Sequence, residues 1–113
     1  MARTPSRSAF EARPGPSEGA VVLDIGEGAG ALVVYAPAAL EDAEVEIRAR
    51  GGRWTGRHVA VRRRAVAGGE RFAAVFPALR AGPYELRPHR SGGDAVLVAS
   101  VEEARVREVT WPG

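Results

Sequence analysis

The sequence predicts an all-β chain, a single antiparallel β-sandwich of seven or eight strands. Three observations point there. Short Val-rich runs alternate with Gly, Pro and Asp clusters along most of the chain, the texture of two stacked sheets. The run EVEIRAR (44–50) alternates apolar and charged residues with period two, as a half-buried strand does. No segment carries a helical period long enough to compete.

Residues 1–18, MARTPSRSAFEARPGPSE, hold three Pro, three Arg and one large apolar side chain, Phe10. Such a segment buries too little apolar surface to offset its ordering entropy, so it reads as a disordered tail. The domain is expected to run from 19 to 113. AVVLDI (20–25) and ALVVY (31–35) are two strand-like runs joined by GEGAG. A phosphate-binding loop would need a helix after those glycines, whereas a strand follows, so the segment reads as a hairpin turn.

Pro37 ends the second run, and APAALEDA (36–43) is a loop or one helical turn with proline near its start. In EVEIRAR, Val45, Ile47 and Ala49 share the inner face, and Glu44, Glu46, Arg48 and Arg50 the outer. RHVAVRRR (57–64) alternates less well, with Val59 and Val61 defining its inner face. Strict alternation would also aim Arg63 inward, so it lies beyond the core's end, pairing with a residue such as Glu70, or the strand is bulged. ERFAAVF (70–76) offers Phe72, Ala74 and Phe76 to one side. FPALRAGPYEL (76–86) reads as a strand end, a turn with Pro77, a Gly-Pro step and a strand carrying Tyr84 and Leu86. AVLVASV (95–101) and VREVTW (106–111) complete the set, with Trp111 as a core or edge cap.

Two resemblances rest on these segments. FPALRAGPYEL, followed by a strand, a Gly-containing turn and a final VREVTW, resembles the carboxypeptidase-regulatory, transthyretin-like and Cna-B-like domains. There a Phe-x-x-Leu-x-x-Gly-x-Tyr pattern closes a hairpin, as Phe76, Leu79, Gly82 and Tyr84 would here. The resemblance implies fold alone, prealbumin-like or, in the same broad architecture, immunoglobulin-like. VVLDIGEGAGALVVYAPAALEDAEVEI, HVAVRRR and FPALRAGPYEL together resemble a family of small actinobacterial proteins, some of which carry automatic phospholipase labels. No residues here support that label. The five serines avoid the Gly-x-Ser-x-Gly elbow, and the chain has neither a His-Asp dipeptide nor the cysteines of secreted phospholipases.

Composition narrows the function. At 113 residues, 45% hydrophobic and 27% charged, the chain suits one soluble domain. No run reaches the roughly 18 apolar residues of a membrane span. The polar, Pro-rich start argues against a secretory signal, so a cytoplasmic location is expected. The absence of Cys excludes disulfides and thiolate chemistry, and the absence of Lys excludes Schiff bases. All sixteen basic side chains are Arg. Selection for bidentate anion recognition or a GC-rich genome would each produce that.

His89, Ser91 and Asp94 fall within PHRSGGD. A flexible Gly-Gly loop does not position a triad, so this reads as an ordinary turn, and no catalytic residue is assigned. His58 with Glu44 and Glu46 is a mixed metal-ligand set in composition. The register expected from same-face alternation puts Glu44 opposite Arg64, Glu46 opposite Arg62 and Arg50 opposite His58. It removes His58 from the carboxylates, so neither metal nor cofactor is expected.

The stretch from Arg48 to Arg64 carries seven Arg, His58 and Trp54, with no acidic residue. Arg48, Arg50, Arg53, Trp54, Arg57 and His58 are therefore the candidate binding residues. Guanidinium groups grip carboxylates or phosphates, and an exposed indole stacks or inserts. The expected function is a non-enzymatic module contacting an acidic protein or other anionic partner. The alternatives are nucleic-acid binding through the same loop, a phospholipase-like hydrolase resting on the label alone, or a solvated sheet face with Trp54 folded back over it. The oligomeric state is not legible.

Overall fold

The computed structural model describes residues 28–113. The expected tail (1–18) and the strand at 20–25 lie outside the described residues, as does most of the GEGAG turn. Eight strands follow among the described residues: β1 Gly30–Ala36, β2 Glu44–Ala49, β3 His58–Ala60, β4 Arg62–Val66, β5 Gly69–Leu79, β6 Gly82–Pro88, β7 Leu97–Val101 and β8 Val106–Thr110. A single 3-10 turn, Ala38–Leu40, follows Pro37 as the sequence suggests. No helix among the described residues is long and apolar enough to cross a membrane.

The strands form two four-stranded sheets, ordered β4-β5-β1-β8 and β3-β2-β6-β7. Pairing is antiparallel except for β1 with β8, which run parallel. Between the sheets lie Leu32, Val34, Val45, Ile47, Val61, Phe76, Leu79, Tyr84 and Leu86, with Trp111 packed at the margin. The continuous apolar run of β1 has a direct cause. Leu32 and Val34 face this core, while Ala31, Val33 and Tyr35 belong to a second buried cluster with Ala73, Val75 and Val106 on the opposite face. A strand buried on both faces does not alternate.

Three expectations change. RHVAVRRR is not one strand: it breaks at Val61, leaving β3 in one sheet and β4 in the other. Val61 itself is buried, its N–H donating to the Ala43 carbonyl and its carbonyl accepting from the Asp42 N–H. This switch resolves the position of Arg63, which is exposed, stands opposite Phe72 and faces Glu41 at 3.8 Å, not Glu70.

FPALRAGPYEL, secondly, is not a hairpin, because β5 and β6 belong to different sheets and Arg80–Ala81 carries the chain across. Tyr84 ties the crossover down, its hydroxyl donating to the Arg80 carbonyl at 2.6 Å. Pro77, thirdly, lies within β5. Gly30 pairs with Leu79 and Leu32 with Phe76, so one β1 residue faces Pro77 and Ala78 together. Such a bulge accommodates a residue without an N–H. Gly30 is required there: a Cβ would stand 2.2 Å from the Glu102 carbonyl oxygen.

Candidate functional site

Alternation in β2 turns Val45 and Ile47 into the core and leaves Glu44, Glu46 and Arg48 on the outer face of the second sheet. Antiparallel pairing sets Arg87 opposite Glu46 and Glu85 opposite Arg48. Both pairs close, Arg87 Nε donating to Glu46 Oε1 at 3.0 Å and Arg48 Nε to Glu85 Oε1 at 2.8 Å. The 50–57 loop then folds back over this lattice. The Trp54 indole lies 4.3 Å from the Arg48 guanidinium carbon and 4.1 Å from that of Arg87. Each such cation–π contact contributes on the order of 0.5–1 kcal/mol. The folded-back indole matches one alternative read from the sequence. Arg50, Arg53 and Arg57 are exposed, as that alternative expects, whereas Glu46 beneath the loop is only 3% exposed and pairs with Arg87, not with Arg62.

The electrostatics follow from this packing. Burial opposes the charge on Glu46, but the hydrogen bond and charge of Arg87, the Arg90 backbone N–H and His89 outweigh it and hold the carboxyl below its ordinary range. For Glu85 the hydrogen bond from Arg48 dominates. Burial opposes it, and the Gly51 backbone N–H and the charges of Arg48 and Arg50 add to the lowering. Both carboxylates are thus ionised components of the face.

The residues singled out from sequence separate into three groups. Arg48 and Arg50 are tied to Glu85, at 2.8 and 3.9 Å, and Trp54 is held over the sheet. Arg53 and Arg57 open on a groove of about 480 Å³ at the end of the sheets, where Arg80 from the β5–β6 crossover joins them. Arg48, Thr55 and Tyr84 also line this groove, and no acidic side chain does. Among the described residues, Arg53, Arg57 and Arg80 form no ion pair, and the side chain of Arg57 reaches only the Ala78 carbonyl, at 3.2 Å.

His58 belongs to the third group, on the opposite side of the lattice. The register is Glu44 with Ala60, Val45 with Val59 and Glu46 with His58, not the one expected from alternation. The sheet switch at Val61 is the reason, since it removes Arg62 and Arg64 from this sheet. Arg62 pairs with Asp42 instead, and Arg64 stands opposite Arg71. His58 is therefore close to the carboxylates: its Nε2 lies 3.8 Å from Glu44 Oε2. It also stacks on His89, with ring centroids 3.8 Å apart and planes 18° apart. Glu44, His58 and His89 hold ligand atoms all within 4.8 Å of one another. This is the one set of three or more potential metal donors among the described residues.

PHRSGGD does not assemble a triad. His89 turns to His58 and Glu46, while Ser91 Oγ accepts the Gly93 N–H at 3.2 Å within its own turn. No family model, curated protein or solved structure matches the chain. Sequence reasoning missed Arg80, Arg87 and His89 as site residues. Arg87 and His89 reach the site only through the pairing of β6 with β2. Arg80 was legible as part of the FPALRAGPYEL connector, but its arrival beside Arg53 depends on the crossover between sheets.

Proposed function

We propose that this chain is a non-enzymatic binding module that receives an anionic group of an acidic protein between the 50–57 loop and the β5–β6 crossover. One observation carries the reading: Arg53, Arg57 and Arg80 line a single groove and have no carboxylate partner among the described residues. Several surface arginines elsewhere are balanced, Arg62 by Asp42, Arg63 by Glu41 and Arg105 by Glu102, while Arg107, among the described residues, reaches only the Ser100 carbonyl and shares its surroundings with no second unpaired arginine in a groove. A guanidinium offers a planar fork of donors matched to carboxylate oxygens, so three of them facing one concavity favour an acidic side-chain cluster. The Arg48–Glu85 and Arg87–Glu46 pairs serve as the floor that holds the loop, with Trp54 as its clamp.

The nucleic-acid alternative draws on a free stacking platform, and the engagement of Trp54 with two arginines weakens it. The hydrolase reading finds no support in the separate positions of His89 and Ser91. We also read the two sheets as a β-sandwich of the prealbumin-like or immunoglobulin-like kind. The crossover at Arg80 and the sheet switch at Val61 support that reading.

Fluorescence anisotropy with a labelled oligoglutamate peptide tests the groove. The peptide should bind, and the triple variant R53A/R57A/R80A should lose about tenfold or more in affinity at an unchanged melting temperature. Equal binding by both proteins would remove the groove from consideration. Binding confined to a single-stranded oligonucleotide, with a steep salt dependence, would transfer the site to the nucleic-acid reading.

A further inference from the structure

Two stacked imidazoles on the outer face of the second sheet have a use that the anion groove does not absorb. Nδ1 of His58 lies 2.7 Å from the Gly56 carbonyl oxygen. A carbonyl only accepts, so this nitrogen carries the ring's proton, and in the neutral ring Nε2 is a lone pair. That lone pair faces a carboxylate oxygen of Glu44 across 3.8 Å, beyond hydrogen-bond range. His89 presents a related problem. Its side chain is 9% exposed, and its Nδ1 is buried with no hydrogen-bond partner among the described residues, 3.7 Å from Glu46 Oε1. Burying such a nitrogen without a partner costs about 1–3 kcal/mol. A single cation held among Glu44, His58 and His89 would take up the His58 Nε2 lone pair, the Glu44 carboxylate and one nitrogen of His89.

We propose that Glu44, His58 and His89 form a binding site for a divalent transition metal of the zinc type. The ligand set is one carboxylate and two imidazoles, with a further position open to solvent or to an exogenous ligand. This donor chemistry favours zinc and its neighbours over calcium or magnesium, which prefer sites built from oxygen alone. The Gly56 carbonyl supplies the outer contact that orients a ligating histidine. Tetrahedral zinc at about 2.0–2.2 Å from each donor requires the three ligand atoms to draw closer than their present spread of up to 4.8 Å. The Glu44 side chain, 51% exposed, is free to approach, and the His58 ring, 37% exposed, has to turn out of its stack on the buried His89 so that a nitrogen of each faces the ion. The backbone fixes the ligands' origins. Glu44 starts β2, His58 starts β3, and the His89 N–H donates to the Glu44 carbonyl at 3.0 Å. The ion would join the edge strand β3 to the β6–β7 connection across β2.

The chain has only two histidines and no cysteine, so a histidine-dependent metal signal has one possible origin. The untagged, chelator-treated protein is titrated calorimetrically with zinc chloride at neutral pH, and cobalt(II) absorption is followed in parallel. The expected result is one zinc per chain, with affinity falling about tenfold or more in both H58A and E44Q. Each of these substitutes an exposed side chain, so folding is not in question. Both histidine ring resonances should shift when zinc is added to the wild-type chain. No saturable binding below about 100 μM, or equal affinity in H58A, overturns the site.

Discussion

The outer faces of the two sheets reach burial by different means. On the first, Ala31, Val33, Tyr35, Ala73, Val75 and Val106 form an apolar layer. On the second, Glu46, Arg48, Glu85 and Arg87 interlock beneath one indole. The apolar layer is stabilised in proportion to area and has no directional requirement, so similar side chains can exchange within it. The charged layer holds only while each ion retains its own partner. A face built in this way is costly to alter one residue at a time, and it positions neighbouring groups closely.

Removing one ion should produce the largest effect. E46A leaves Arg87, whose side chain is 14% exposed, without its carboxylate, and should destabilise the fold by about 3 kcal/mol in urea denaturation. Replacing both partners by leucine should restore most of that loss, because the uncompensated charge disappears together with its partner. If the double variant is as unstable as the single one, the face is held by specific geometry instead of charge balance. In the apolar layer, V33A should cost about 2 kcal/mol, from two lost methylenes and the space they leave. A V33I substitution that is equally damaging would show that this layer, too, demands exact shape.

The smallest effect concerns acid. The Glu85 carboxyl is held below its ordinary value of 4.5. Its contribution to stability is therefore fully present above that value and is lost as pH falls through the lower, folded-state value. Melting temperatures measured downward from about pH 6 should decline less steeply in E85Q than in the wild type. V33A should follow the wild-type slope, since it changes no titrating group. A parallel decline in E85Q would place the acid sensitivity elsewhere.

Much of the fold is written in local pattern. Val45 and Ile47 alternate because one face of β2 meets the core, and both are buried as expected. The run Ala31–Tyr35 reads as a strand even though both its faces are covered. Reading failed where meaning depends on distant pairing. Glu46 looks like a solvent-facing carboxylate until Arg87, forty-one residues later, pairs with it and Trp54 covers that arginine. His58 looked remote from carboxylates because Arg62 and Arg64 were assigned to its own sheet, and nothing in RHVAVRRR marks Val61 as the point of departure. The basic loop was visible, but its division into paired and unpaired arginines was not. That division is set by Glu85 and by Arg80, which arrive from other segments.

The break at Val61 has a mechanical consequence. One residue separates an edge strand of one layer from an edge strand of the other. Slipping β3 by a single position would evict that valine from the interior and drive a neighbouring arginine or alanine toward it. Each layer therefore acts as a ratchet pawl for the other, and the alignment that brings His58 beside Glu44 is locked from the far side of the molecule.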